Sequence, residues 1–127
     1  MIPSRVGTAV TFLIIIFALL SAWALFVAKV CPKGEYRGIS YSHLPGIRTP
    51  RLLSSQKAWK AGHAAVTTYF EGLALYFASA GALVFVLALA KSTMDLGIFS
   101  AIVISVGCIV VLMALMKADS AAQSLQQ

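Results

Sequence analysis

Three long uncharged runs, a composition that is 60% hydrophobic and only 11% charged, and a mean hydropathy of +0.89 predict an all-α membrane protein with three transmembrane helices. The runs, Val6 to Ala28, Gly72 to Ala90 and Leu96 to Met116, are each long enough at ~1.5 Å rise per residue to cross a ~30 Å hydrocarbon core. A single-pass chain would leave two such runs in water, and a soluble bundle would need polar faces that they lack. None alternates with the period of two that a barrel strand requires. The expectation is a single membrane domain over residues 1–127, with spans near 6–28, 66–90 and 95–116 and a basic connector, 29–65, between the first two.

In the first span, Arg5 precedes the apolar run and Ala22-Trp23-Ala24 resembles a leader-cleavage site. The run continues through Leu25, Phe26, Val27 and Ala28 without a polar break, which suits a retained anchor.

The connector holds Lys29, Lys33, Arg37, Arg48, Arg51, Lys57 and Lys60 against one acid, Glu35. The other charges, Arg5, Lys91 and Lys117 against Glu71, Asp95 and Asp119, cancel, so the formal charge of +6 resides in this segment. With three spans, the connector and the C-terminus share one side of the membrane. That side carries most of the Lys and Arg, which predicts a multi-pass membrane protein with its N-terminus outside and its connector and C-terminus cytoplasmic. Topology accounts for most of the charge. Attraction to anionic lipid head groups follows without a special site. No nucleic acid is expected as a partner, since Tyr36, Tyr41 and Trp59 form no stacking platform.

Pro32, Gly34, Gly38, Pro45, Gly46 and Pro50 predict turns and extended chain from Cys31 to Arg51. A helix then restarts, capped by Ser54 or Ser55, and with no proline after Gln56 it is expected to run straight into the second span. On it Trp59, His63, Thr67 and Phe70 fall near one face. Trp59 is expected at head-group level with a wet indole N–H, flanked by Lys57 and Lys60. Glu71 lies ~28 Å from Ala90 along a helix axis, near the edge of the hydrocarbon, where a carboxylate calls for a partner. Arg48 is the expected one.

Gly46-Ile47-Arg48-Thr49-Pro50, followed by Trp59 and then His63, resembles the G-[IV]-R-T…W…H signature of the SdpI-like bacterial membrane proteins, over about residues 45 to 72. Where many relatives carry acidic residues before the Trp, this chain has Ser55-Gln56-Lys57; where a polar residue such as Asn often precedes the signature, it has Ser42 and His43. The family takes its name from an immunity protein that protects a cell from its own secreted killing peptide and holds a repressor at the membrane. The resemblance therefore implies a place in the bacterial plasma membrane and immunity to a membrane-active peptide or membrane-linked signalling, with a peptide or membrane protein as partner. Gly46, Ile47, Arg48, Thr49, Trp59, His63 and Glu71 form the expected binding or structural motif. Arg48 offers a fork of donors to a carboxylate, a phosphate or helix-end carbonyls; the alternative is an internal clasp pinning the connector to the helix ends.

Small residues recur at Ala74, Ala78 and Ala82 and at Gly97, Ala101 and Ser105, rows that allow close helix approach in lipid. Packing of the second span on the third is the expected use, and a contact with another protein the other. A disulfide between Cys31, at the membrane edge, and Cys108, near mid-span, is not expected. Cys31 is a candidate for acylation. Cys31, His43 and His63 lack a metal-site spacing, so no metal and no cofactor is expected. No phosphate loop, dinucleotide fingerprint, serine elbow or zinc-protease motif is present, and the chain reads as a non-enzyme. A second function fits the same features: a non-catalytic accessory subunit stabilising a larger bacterial membrane complex. The tail from Ala118 is expected to fray.

Overall fold

The computed structural model describes residues 4–91 and 95–124. The link at 92–94 and the chain ends lie outside them, as do the last three residues of the tail expected to fray. Four α-helices form, α1 (Ser4–Lys29), α2 (Gln56–Ala65), α3 (Thr67–Leu89) and α4 (Leu96–Ser124), with a small hairpin of β1 (Glu35–Tyr36) and β2 (Ile39–Ser40). Three stretches, Gly7–Lys33, Thr67–Leu89 and Leu96–Ser124, are long and apolar enough to cross a membrane. Phe12, Leu19, Leu75, Leu89, Ile102 and Met116 are each at least 59% exposed, as befits side chains whose solvent is lipid rather than water.

The helices α1 and α3 run antiparallel along their length. Glu71 meets Lys29, the Ser21 hydroxyl donates to the Ala74 carbonyl at 2.7 Å, Phe17 stacks on Phe77 with centroids 6.3 Å apart, and Gly81 lies against Phe17 and Ile14. Fewer contacts join α3 to α4. The Tyr76 hydroxyl donates to the Val103 carbonyl at 2.9 Å, and Gly107 leaves room for the Phe77 ring, 2.7 Å from where a Cβ would stand. The small-residue rows are used otherwise than expected. Ala74 is buried, but Ala78, Ala82, Gly97, Ala101 and Ser105 are exposed. The buried face of α4 carries Ser100, Val103, Gly107, Ala114, Ala118 and Ala122.

Two expectations about the helices need correction. The restarted helix does not continue into the second span: Val66, at φ −117° and ψ 13°, separates α2 from α3. The β-branched run Val66-Thr67-Thr68 is a weak place to continue a helix, and the Thr67 hydroxyl takes the His63 carbonyl at 3.1 Å. Nor does the tail fray before Ser124: α4 continues there, and Ala118 and Ala122 are fully buried.

Candidate functional site

The connector folds into a compact cap on one end of the helices. Its first part turns as expected, with 3₁₀ turns at Cys31–Lys33 and Tyr41–His43. The hairpin pairs Glu35 with Ser40 and Tyr36 with Ile39, leaving Arg37 (φ 48°) and Gly38 (φ 84°) as a two-residue loop. Positive φ at both central positions is the geometry that matches strand twist, and Gly38 adopts it without strain. Tyr36 packs edge-on against Phe26 of α1, centroids 5.4 Å apart.

Helix α2 is capped by Ser55, whose hydroxyl accepts from the Ala58 N–H at 3.0 Å, one of the two expected caps. It presents Ala58, Trp59, Gly62 and His63 inward. At Gly62 a Cβ would collide with Leu52 and stand 3.1 Å from the Ala118 carbonyl. Glycine there lets α2 lie directly on α4 with Leu52 seated between.

Trp59 is not at a wet interface. It is fully buried, and its indole N–H donates to the Cys31 carbonyl at 2.8 Å. Outside the bilayer, water drives this ring inward, and its N–H finds a partner there. The His63 ring lies 4.0 Å from it, centroid to centroid, and is itself 1% exposed. His63 Nε2 accepts the Ile47 N–H at 2.9 Å, so the proton sits on Nδ1, which donates to the Trp59 carbonyl at 2.9 Å. Burial lowers the His63 pKa, opposed in part by the bond to Trp59, so the neutral ring is the form held.

Gly46 fits between His63 and Cys31: a Cβ on it would stand 2.5 Å from His63 Nε2 and 2.9 Å from Cys31 Sγ. Ile47 is buried. The Thr49 hydroxyl donates to Asp119 Oδ1 at 3.0 Å and accepts from the Leu52 N–H at 3.3 Å, starting the 3₁₀ turn Leu52–Ser54. Beside it Arg51 Nη1 donates to Asp119 Oδ2 at 2.9 Å. From α1, the Trp23 indole N–H donates to the Pro45 carbonyl at 2.8 Å. Tyr41 adds a ring contact to Trp59 at 5.9 Å.

Gly46, Ile47, Thr49, Trp59 and His63 thus converge on one cluster. Arg48 lies at its edge, exposed, with one Nη1 bond to the Leu44 carbonyl at 3.0 Å. Glu71 is elsewhere and does not meet Arg48: its partner is Lys29 Nζ at 3.1 Å, with side chains 43% and 62% exposed. Chain direction explains this, because the antiparallel pairing of α1 and α3 brings Lys29, the last residue of α1, beside Glu71 near the start of α3. Cys31 is fully buried, which closes it to acylation in this fold. Both cysteines are free, Cys108 being exposed on α4.

Asp119, Trp23 and the Cys31 carbonyl were not among the expected site groups. Their partners lie 70, 22 and 28 residues away, beyond any periodic signal.

Compared with known proteins, the SdpI/YfhL protein family matches residues 39–117, from β2 through most of α4. No curated protein and no solved structure matches the chain.

Proposed function

This chain belongs to the SdpI/YfhL protein family, and from that membership we propose that it is a non-catalytic immunity or signalling protein that engages a peptide or protein partner through the outer face of its connector. The observation that carries this reading is the division of labour within the motif. Ile47, Thr49, Trp59 and His63 spend their polar groups on one another, on Asp119 and on Cys31, and Gly46 gives its N–H to the Leu44 carbonyl. Arg48 keeps most of its fork of donors for something outside, having one bond to Leu44. Lys33, Arg37, Lys57 and Lys60 are exposed with it and, among the described residues, form no ion pair. Such a face suits an acidic surface or a carboxylate. The clasp and the recognition residue are then neighbours with different tasks.

The test is affinity capture from native membranes in mild detergent, natural chain against Arg48→Ala, with thermal unfolding measured on both. A partner held by the natural chain and lost by a variant of unchanged stability supports the reading. Loss of stability with no change in captured partners would make Arg48 part of the clasp and remove the recognition role. The cytoplasmic side proposed for this face is checked separately: a C-terminal reporter active only in the cytoplasm should be active.

A second reading, the accessory subunit, draws on the exposed small residues Ala78, Ala82, Gly97, Ala101 and Ser105, which would let another membrane helix approach closely. Sizing of the mildly solubilised protein distinguishes it, since an accessory subunit co-migrates with a large complex whether or not Arg48 is present.

A further inference from the structure

Between α3 and α4 lies an apolar groove of about 300 Å³, lined by Tyr69, Gly72 and Tyr76 on one side and Val106, Val110 and Met113 on the other. Thr68 stands at its upper end, where Lys117 Nζ lies 5.0 Å from the centre of the Tyr69 ring. One turn further along α3, Glu71 is paired with Lys29 of α1. From Thr68 to Tyr76 the groove runs ~12 Å along the helix axis. Below Thr68 its lining is apolar, and a cation stands at its upper end, so the groove matches the two parts of an anionic lipid, a hydrocarbon chain and a charged head group. Within a bilayer no water is at hand to fill it, and basic pockets between transmembrane helices select anionic head groups. Asp119, the acid nearest Lys117 in sequence, is already paired with Arg51.

We propose that this groove binds one acyl chain of an anionic phospholipid, whose phosphate is held by Lys117 and the Thr68 hydroxyl. Gly72 makes the site testable without disturbing the fold, because a Cβ there meets nothing within 4 Å. The measurement is native mass spectrometry of the full chain released from nanodiscs of mixed phosphatidylglycerol and phosphatidylcholine. The natural chain should retain one phosphatidylglycerol in preference to phosphatidylcholine. Lys117→Gln should reduce that retention about five-fold, the worth of one Lys near a phosphate, with Lys117→Arg restoring it. Gly72→Leu should remove it, and Cys108→Leu, on an exposed part of α4 outside the groove, should leave it unchanged. Equal retention of both lipids, undiminished retention in Gly72→Leu, or equal loss in Cys108→Leu would each overturn the proposal. So would displacement of the lipid by glycerol phosphate, which carries the head group without the chain, or a dimer that Gly72→Leu converts to monomer with lipid unchanged.

Discussion

His63 has both ring nitrogens committed, Nδ1 donating to Trp59 and Nε2 accepting from Ile47. A second proton on Nε2 would face the Ile47 N–H, so two donors would meet in a buried place. The folded state therefore binds a proton less readily than the unfolded chain, in agreement with the lowered pKa. Because the unfolded state takes up more protons, stability rises with pH through this window. It should be fully present above about pH 6.5, the ordinary histidine value, and fall as the pH drops below it toward the lowered folded pKa. Thermal unfolding of the detergent-solubilised protein between pH 7.5 and 5 checks this, and His63→Gln should flatten the decline. Gly46→Ala is expected to cost about 1–3 kcal/mol, the usual penalty for overpacking, because its Cβ would press on His63 and Cys31; chemical denaturation reads it directly. At this scale the motif was legible as a set, since Gly46, Ile47, Thr49, Trp59 and His63 do converge. The direction of Trp59 was not. Lys57 and Lys60 beside it suggest an interface, and nothing local reveals the Cys31 carbonyl that takes its N–H.

Among the elements, α4 departs most from the sequence reading. Its stretch past Met116 looked like a polar tail because Asp119, Ser120 and Gln123 are polar and the apolar residues there are alanines. Alanine is the strongest helix former, and Ala118 and Ala122 fall one turn apart on the face that α2 covers. Asp119 then receives Thr49 and Arg51 together. The Arg51–Asp119 pair is about one-third exposed on each side, so a double-mutant cycle with Arg51→Ala and Asp119→Ala should give a coupling of about 0.5–1 kcal/mol, reduced by salt. A coupling near zero would mean that Thr49 and the alanine packing hold the end of α4 alone. The capped start of α2 at Ser55 was legible, as were the three apolar spans. The break at Val66 had a local signal in Val66-Thr67-Thr68, overridden in the sequence reading by the absence of proline. The exposed small-residue rows show the limit of spacing as a guide: it identifies smooth helix faces, and tertiary geometry decides which of them is used.

As a whole, the molecule has two kinds of interior. The spans are joined by close contacts in a medium as apolar as they are, whereas the cap of Leu44, Ile47, Leu52, Trp59 and His63 depends on water driving apolar surface inward. Urea should therefore dissolve the cap first. In a Trp23→Phe background, Trp59 fluorescence should shift to the red at urea concentrations that leave the far-UV helix signal of the spans largely intact, and coincident transitions would show a single cooperative unit instead. The overall plan was readable because hydrophobic length alone specifies a span; the cap was not, because it is assembled from contacts far apart in the chain. That separation also orders events during biosynthesis. The segment that receives Thr49 and Arg51 is the far end of α4 and leaves the ribosome after α3 and most of α4, several seconds behind α2 at about 5–20 residues per second. Until then the nascent chain carries a half-built cap whose apolar side lacks its cover, so a chaperone or protease has a timed window on every newly made copy, which closes when Ala118 and Ala122 arrive.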